Sequence, residues 1–83
     1  MMKGQVVISK CGRDQGVALV VLSVEGDYVF VTDGKLRPLT KPKRKKAKHL
    51  QPTNTFVDLN CAGPRGLQDA DIRKLLQLFR ERG

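Results

Sequence analysis

The chain has 83 residues, enough for one small domain and too few for two. Two cysteines without a CxxC pair and a single histidine are too few ligands for a zinc site, and the longest apolar run, VALVVLSV at 17–24, is too short to cross a bilayer. The net charge of +8 is confined: residues 1–34 hold three cations and four acids, residues 35–49 eight cations and no acid, and residues 50–83 five cations and four acids.

The N-terminal MMKGQVV lacks a signal-peptide apolar region and cleavage site, so a soluble, cytoplasmic chain is expected. QVVISK at 5–10 alternates, with Val6 and Ile8 on one face, which is strand periodicity. A polar loop follows, framed by Gly12 and Gly16. Val17 to Val24 is β-branched and apolar on both faces, which places it at the centre of a sheet. Gly26-Asp27 suits a type II′ hairpin, and YVFVT at 28–32 is the return strand. Asp33-Gly34 reads as a type I′ hairpin leading into a short edge strand at 35–39, marked as an edge by Pro38.

The run KPKRKKAK at 41–48 reads as a loop between strands. Leu50-Gln51 is a brief closing strand ended by Pro52, and 56–59 is a further extended piece. Residues 62–66 form a turn region. From about 68 to 82 the period becomes helical, with Ile72, Leu75, Leu76 and Phe79 on one face. Asp69 and Asp71 suit the positive end of that helix, Arg80 and Arg82 the negative end, and Gly83 terminates it. The fold class is mainly β: five short strands closing into a small barrel, then one C-terminal amphipathic helix covering the outer side of the central strand. One domain over 1–83 is expected.

The segment GQVVISKCGRDQGVALVVLSVEGDYVFVTDG resembles a KOW motif, with Gly16 as its hallmark glycine. The continuation KLRPLTKPKRKKAKHLQPTNTFVDL and then QDADIRKLLQLF is similar to the archaeal and eukaryotic large-subunit ribosomal protein fourteen-e family. The chain is shorter than eukaryotic members and looks like a stand-alone prokaryotic relative of the KOW-domain RNA-binding type. The resemblance implies an SH3-like barrel and RNA as the partner.

A cationic run cannot help the fold, because its members repel one another. Held at both ends by a barrel, it would meet a polyanion with less ordering entropy to lose than a free tail. Lys41, Lys43, Arg44, Lys45, Lys46 and Lys48 are therefore expected on RNA phosphates, with counterion release supplying affinity. Strand alternation would put Lys35 and Arg37 on the same face, and His49 could stack on a base or bond a phosphate. Lys10 and Arg13 lie in the loop that the resemblance turns toward RNA, with Asp14 offsetting part of their charge. Tyr28 and Phe30 share a strand face, as stacking aromatics do, but no RNP-type pattern accompanies them and Phe30 is assigned to the core.

No nucleophile–base arrangement and no nucleotide-binding glycine loop is present, so a non-enzyme without cofactor or metal is expected. Two functions follow. The first is a monomeric RNA-binding protein, ribosomal or ribosome-associated, with no membrane or small-molecule partner. The alternative is an SH3-like adaptor binding an acidic partner segment. Changing Lys43, Arg44, Lys45 and Lys46 together to Ala is expected to abolish RNA binding and leave the thermal transition nearly unchanged. Cys11 and Cys61 are read as buried or half-buried thiols of a reducing compartment, with a disulfide as the other possibility.

Overall fold

The computed structural model describes residues 1–60 and 66–82. Its elements are β1 (Gln5–Ser9), β2 (Ala18–Glu25), β3 (Tyr28–Thr32), β4 (Lys43–Lys46), a 3₁₀ turn (Ala47–His49), β5 (Leu50–Phe56) and α1 (Asp69–Arg82). The strands form one antiparallel sheet in the order β4-β3-β2-β1-β5. β2, which holds most of the VALVVLSV segment, is central: Ala18 to Val21 are buried on both faces, whereas Ser23 and Val24 at its far end are exposed. The 3₁₀ turn carries the chain from one sheet edge to the other, and the sheet curls as a small SH3-like barrel with one helix.

Period-2 alternation sorts the apolar residues into two cores. Val7, Leu19, Val21, Val29, Val31 and Leu50 fill the concave side, with Val17 and Ala47 packed against them. Val6, Ala18 and Val20 point the other way and meet Ile72 and Leu76 of α1. The helix thus covers the outer side of β2 as its periodicity implies, with Phe79 also against this cluster. Burying four large aliphatic side chains of this second core fully, Val6, Val20, Ile72 and Leu76, contributes about 1.5–3 kcal/mol each before entropy is charged.

The tight β2–β3 hairpin pairs Glu25 with Tyr28 across Gly26-Asp27. Gly26 takes φ +57° and, among the described residues, no non-glycine residue has positive φ, which fits type II′. The same backbone fact excludes the type I′ turn expected at Asp33-Gly34, because Asp33 would need positive φ. There is no strand at 35–39. Instead, Asp33 Oδ1 accepts the backbone N–H groups of Lys35 (2.8 Å) and Arg37 (2.9 Å), curling the chain into an irregular loop. That loop is fastened to α1: Asp69 Oδ1 accepts the Leu39 N–H at 2.7 Å, and Arg73 donates to the Gly34 carbonyl at 2.7 Å.

Gly34 sits at φ +75°, and a Cβ placed there would fall 2.5 Å from the Asp69 carbonyl oxygen and 3.2 Å from Ile72 Cβ. Gly34→Ala must therefore push the helix N-terminus away. Its expected cost is at least about 2 kcal/mol, read as a lowered midpoint in urea unfolding with unchanged slope.

β5 is longer than the dipeptide expected and runs through Pro52. It is an edge strand, where a missing N–H is tolerated. Of the extended piece at 56–59, Phe56 ends β5 and Val57 donates to the Gly4 carbonyl at 2.8 Å. Most of the expected turn at 62–66, together with Cys61 and Gly83, lies outside the described residues. Cys11 is half-buried and carries a free thiol. Among the described residues no helix is long and apolar enough to cross a membrane, and no group of three or more His, Cys, Asp or Glu is placed to hold a metal ion.

Candidate nucleic-acid interface

The basic run is not a loop. Lys43–Lys46 form β4, an edge strand paired with β3 in the register Tyr28↔Lys46, Val29↔Lys45, Phe30↔Arg44 and Val31↔Lys43. Side chains opposite one another share a face, so alternation deals the cations to two sides. Arg44 and Lys46 stand with Tyr28 and Phe30 on the outer face. Lys43 and Lys45 stand with Val31 and Val29 on the concave face.

Lys45 is consequently an interior residue, 8% exposed. Its ammonium donates to Asp14 Oδ1 at 2.9 Å, to the Ser9 hydroxyl at 2.6 Å and to the Cys11 carbonyl at 3.3 Å. The Ser9 hydroxyl lies 3.0 Å from both Asp14 Oδ1 and the Cys11 carbonyl and can donate to one of them. Three donors of the ammonium thus meet three acceptors, the condition for burying a charge at tolerable cost. Burial raises the pKa of Asp14, but hydrogen bonds from Lys45 and Ser9, with the charge of Lys45, lower it further, and the carboxyl ends below its ordinary value. This corrects two expectations. Lys45 is withdrawn from any phosphate, and Asp14 neutralises Lys45 rather than Lys10 or Arg13. Within the concave face a lone lysine would be expelled; Ser9, Asp14 and Cys11 hold it there and staple the β1–β2 loop to β4.

The other cations, Lys43 apart, point outward. Arg44, Lys46, Lys48 and Lys41 are exposed or partly so, and Lys43 is half-buried at the rim of the barrel. Lys43 joins Arg13 and Arg37 around a groove of about 390 Å³ floored by Val17 and Leu19 and bordered by Leu36, Asp14 and Asp33. The loop at 33–42 separates the two residues expected on one face. Arg37 enters this groove, while Lys35 lines a second depression with Arg73, Gln77 and Arg80 of α1. On the outer face the Arg44 guanidinium lies over the Tyr28 ring, 4.5 Å from its centroid. Tyr28, Lys46, Ala47, Lys48 and Asp27 line a third depression of about 400 Å³. Lys10 is exposed beside the 3₁₀ turn, and its N–H donates to the His49 carbonyl at 2.8 Å. His49 itself is half-buried. Phe30 belongs to neither core and is half-buried on the outer face, which corrects the core position expected of it.

Among the described residues one ion pair forms, Lys45 with Asp14. The remaining seven cations of 35–49 thus have no carboxylate of a described residue within 4.0 Å.

No family model matches the chain. The large ribosomal subunit protein eL14 of Pyrobaculum aerophilum is 34% identical to it over 77 residues, covering 89% of this chain and 69% of that protein. The chain belongs to the eL14 family. The eL14 proteins of Pyrobaculum arsenaticum (33% over 86 residues, 95% and 80% of the two chains) and Desulfurococcus amylolyticus (32% over 76 residues, 88% and 73%) agree. The family resemblance carried by the KOW-like segment, the basic run and the terminal helix therefore holds.

This eL14-family chain also presents cations beyond those expected from its basic run and first loop. Arg73 and Arg80 extend the basic surface from Lys35 onto the helix. Their spacing with Gln77, at i, i+4 and i+7, marks one polar stripe opposite the apolar one, and that periodicity is the signal that points to them. Tyr28 has no comparable sequence signal, because its place beside Arg44 and Lys46 depends on the β3–β4 pairing.

Proposed function

We propose that this chain is a cytoplasmic, non-enzymatic RNA-binding protein that works on the ribosome as a single small domain. The observation that carries the reading is the edge strand β4, whose outward cations are unneutralised among the described residues and are flanked by two further cationic depressions. Lys41, Lys43, Arg44, Lys46 and Lys48 contact phosphates, with Arg13 and Arg37 extending the surface around the barrel rim and Lys35, Arg73 and Arg80 extending it toward α1. Lys10 and His49 border it at the 3₁₀ turn. The relatives' name, large ribosomal subunit protein eL14, supports ribosomal RNA as the RNA in question. Because β4 is hydrogen-bonded on one side, its cations are held at fixed positions, and less ordering entropy opposes phosphate binding than on a free tail.

Sedimentation of the tagged chain with ribosomes, before and after ribonuclease treatment, tests this. The expected result is co-sedimentation that ribonuclease abolishes. Retention on one polypeptide after RNA is destroyed would replace the proposal with capture of an acidic protein segment.

A further inference from the structure

Phosphate contact alone leaves the outer face of β3 unexplained. Tyr28 and Phe30 stand there side by side, half-buried rather than packed into either core. Their cross-strand partners are Lys46 and Arg44. The result is a row of two aromatics on β3 beside a row of two cations on β4, with a depression of about 400 Å³ lined by Tyr28, Lys46 and Lys48 next to it. Cations around an aromatic face are the arrangement that takes a nucleobase on the ring and its phosphates on the rim.

We infer that Tyr28 is a stacking platform for one unpaired RNA base, which displaces the Arg44 guanidinium from the ring and sends it to the flanking phosphate. This rests on the RNA-binding reading above and adds base contact to it. Magnitudes favour the exchange. An exposed cation–π contact such as Arg44 on Tyr28 is worth about 0.5–1 kcal/mol, whereas stacking a base on an aromatic ring is worth about 1–3 kcal/mol. Arg44 also exchanges a neutral ring for a charge-assisted bond to phosphate. Asp27, the acid on the depression wall, disfavours a phosphate in its floor and leaves the floor to the base.

The chain holds one tyrosine and no tryptophan, so the ring resonances of Tyr28 are identifiable by residue type. The test titrates the protein with a single-stranded ten-nucleotide RNA and with inorganic polyphosphate of matched charge. The expected result is an upfield shift of the Tyr28 ring protons with RNA and none with polyphosphate. Tyr28→Leu should weaken RNA binding about tenfold and leave polyphosphate binding unchanged, and Tyr28→Phe should restore wild-type RNA affinity. If RNA binds wild type tightly but leaves the ring protons unmoved, or if Tyr28→Leu weakens both ligands equally, stacking is overturned while the phosphate interface stands. If neither ligand binds wild type, both readings fall.

Discussion

Lys45→Ala is expected to lower the stability of the protein by about 3 kcal/mol, although it removes one cation from a strand that is otherwise repelling itself. The reason is the orphaned Asp14. Breaking a buried ion pair from one side leaves an uncompensated charge, at a cost of about 3–5 kcal/mol, and the side chain of Asp14 is 18% exposed, which puts the loss at the lower end. A domain of this size has roughly 4–12 kcal/mol in total, so the thermal midpoint should fall by on the order of 12–24 °C. Removing both charges together, as Lys45→Met with Asp14→Asn, should recover most of the loss. The sign with pH is fixed by the lowered pKa of Asp14. Its contribution is fully present above the unfolded value of about 3.9 and is lost as pH falls through the lower folded value. Thermal melts should therefore steepen their decline below about pH 4, and Asp14→Asn should flatten that decline. A Lys45→Ala protein that melts with wild type would mean that the pair does not staple the fold.

A triple charge change on the outer side has the opposite profile. Arg44, Lys46 and Lys48 changed together to Ala should cost RNA affinity on the order of 100-fold near 0.1 M salt. Five phosphate contacts, from Lys41, Lys43, Arg44, Lys46 and Lys48, give a log–log salt slope of roughly −3.5 to −4.5, and removing three of them should flatten it to roughly −1.4 to −1.8. Stability should change by no more than about 1 kcal/mol, because these side chains lie on the surface and the strongest interaction they make among the described residues is that of Arg44 with the Tyr28 ring. Filter binding over a salt series and a thermal melt of the same variant measure both. An undiminished slope would place the RNA on another face. The quadruple change of 43–46 to Ala cannot make this distinction: it removes the interior Lys45 as well, so it should lower the thermal transition rather than leave it nearly unchanged, the outcome expected from sequence alone.

These two variants mark where the sequence was readable and where it was not. One hairpin and the periodicity were legible: β2 at the centre, the Gly26-Asp27 turn and α1 over the outer face all follow from local rules acting on strongly patterned segments. KRKK, by contrast, carries no apolar alternation, and a strand without it has no sequence signature. Its pairing with β3 comes from the backbone ladder and from Asp14, 31 residues away, accepting the buried Lys45. Asp33-Gly34 misled for a related reason. A hairpin dipeptide was overridden by tertiary bonds from its loop to Asp69 and Arg73, far along the chain in α1. Within the candidate site, the direction of the cations was not legible, because direction depends on a strand register that only the folded chain defines.

The inward turn of Lys45 makes the basic segment sensitive to spacing as well as to composition. Deleting Lys43, with the pairing held from the preceding loop, would leave the polypeptide almost as cationic as before, yet it would swap the parity of the run, swing Arg44 toward the apolar interior and turn Lys45 outward, away from Asp14. Two chains of near-identical isoelectric point could thus differ between a working protein and an aggregating one.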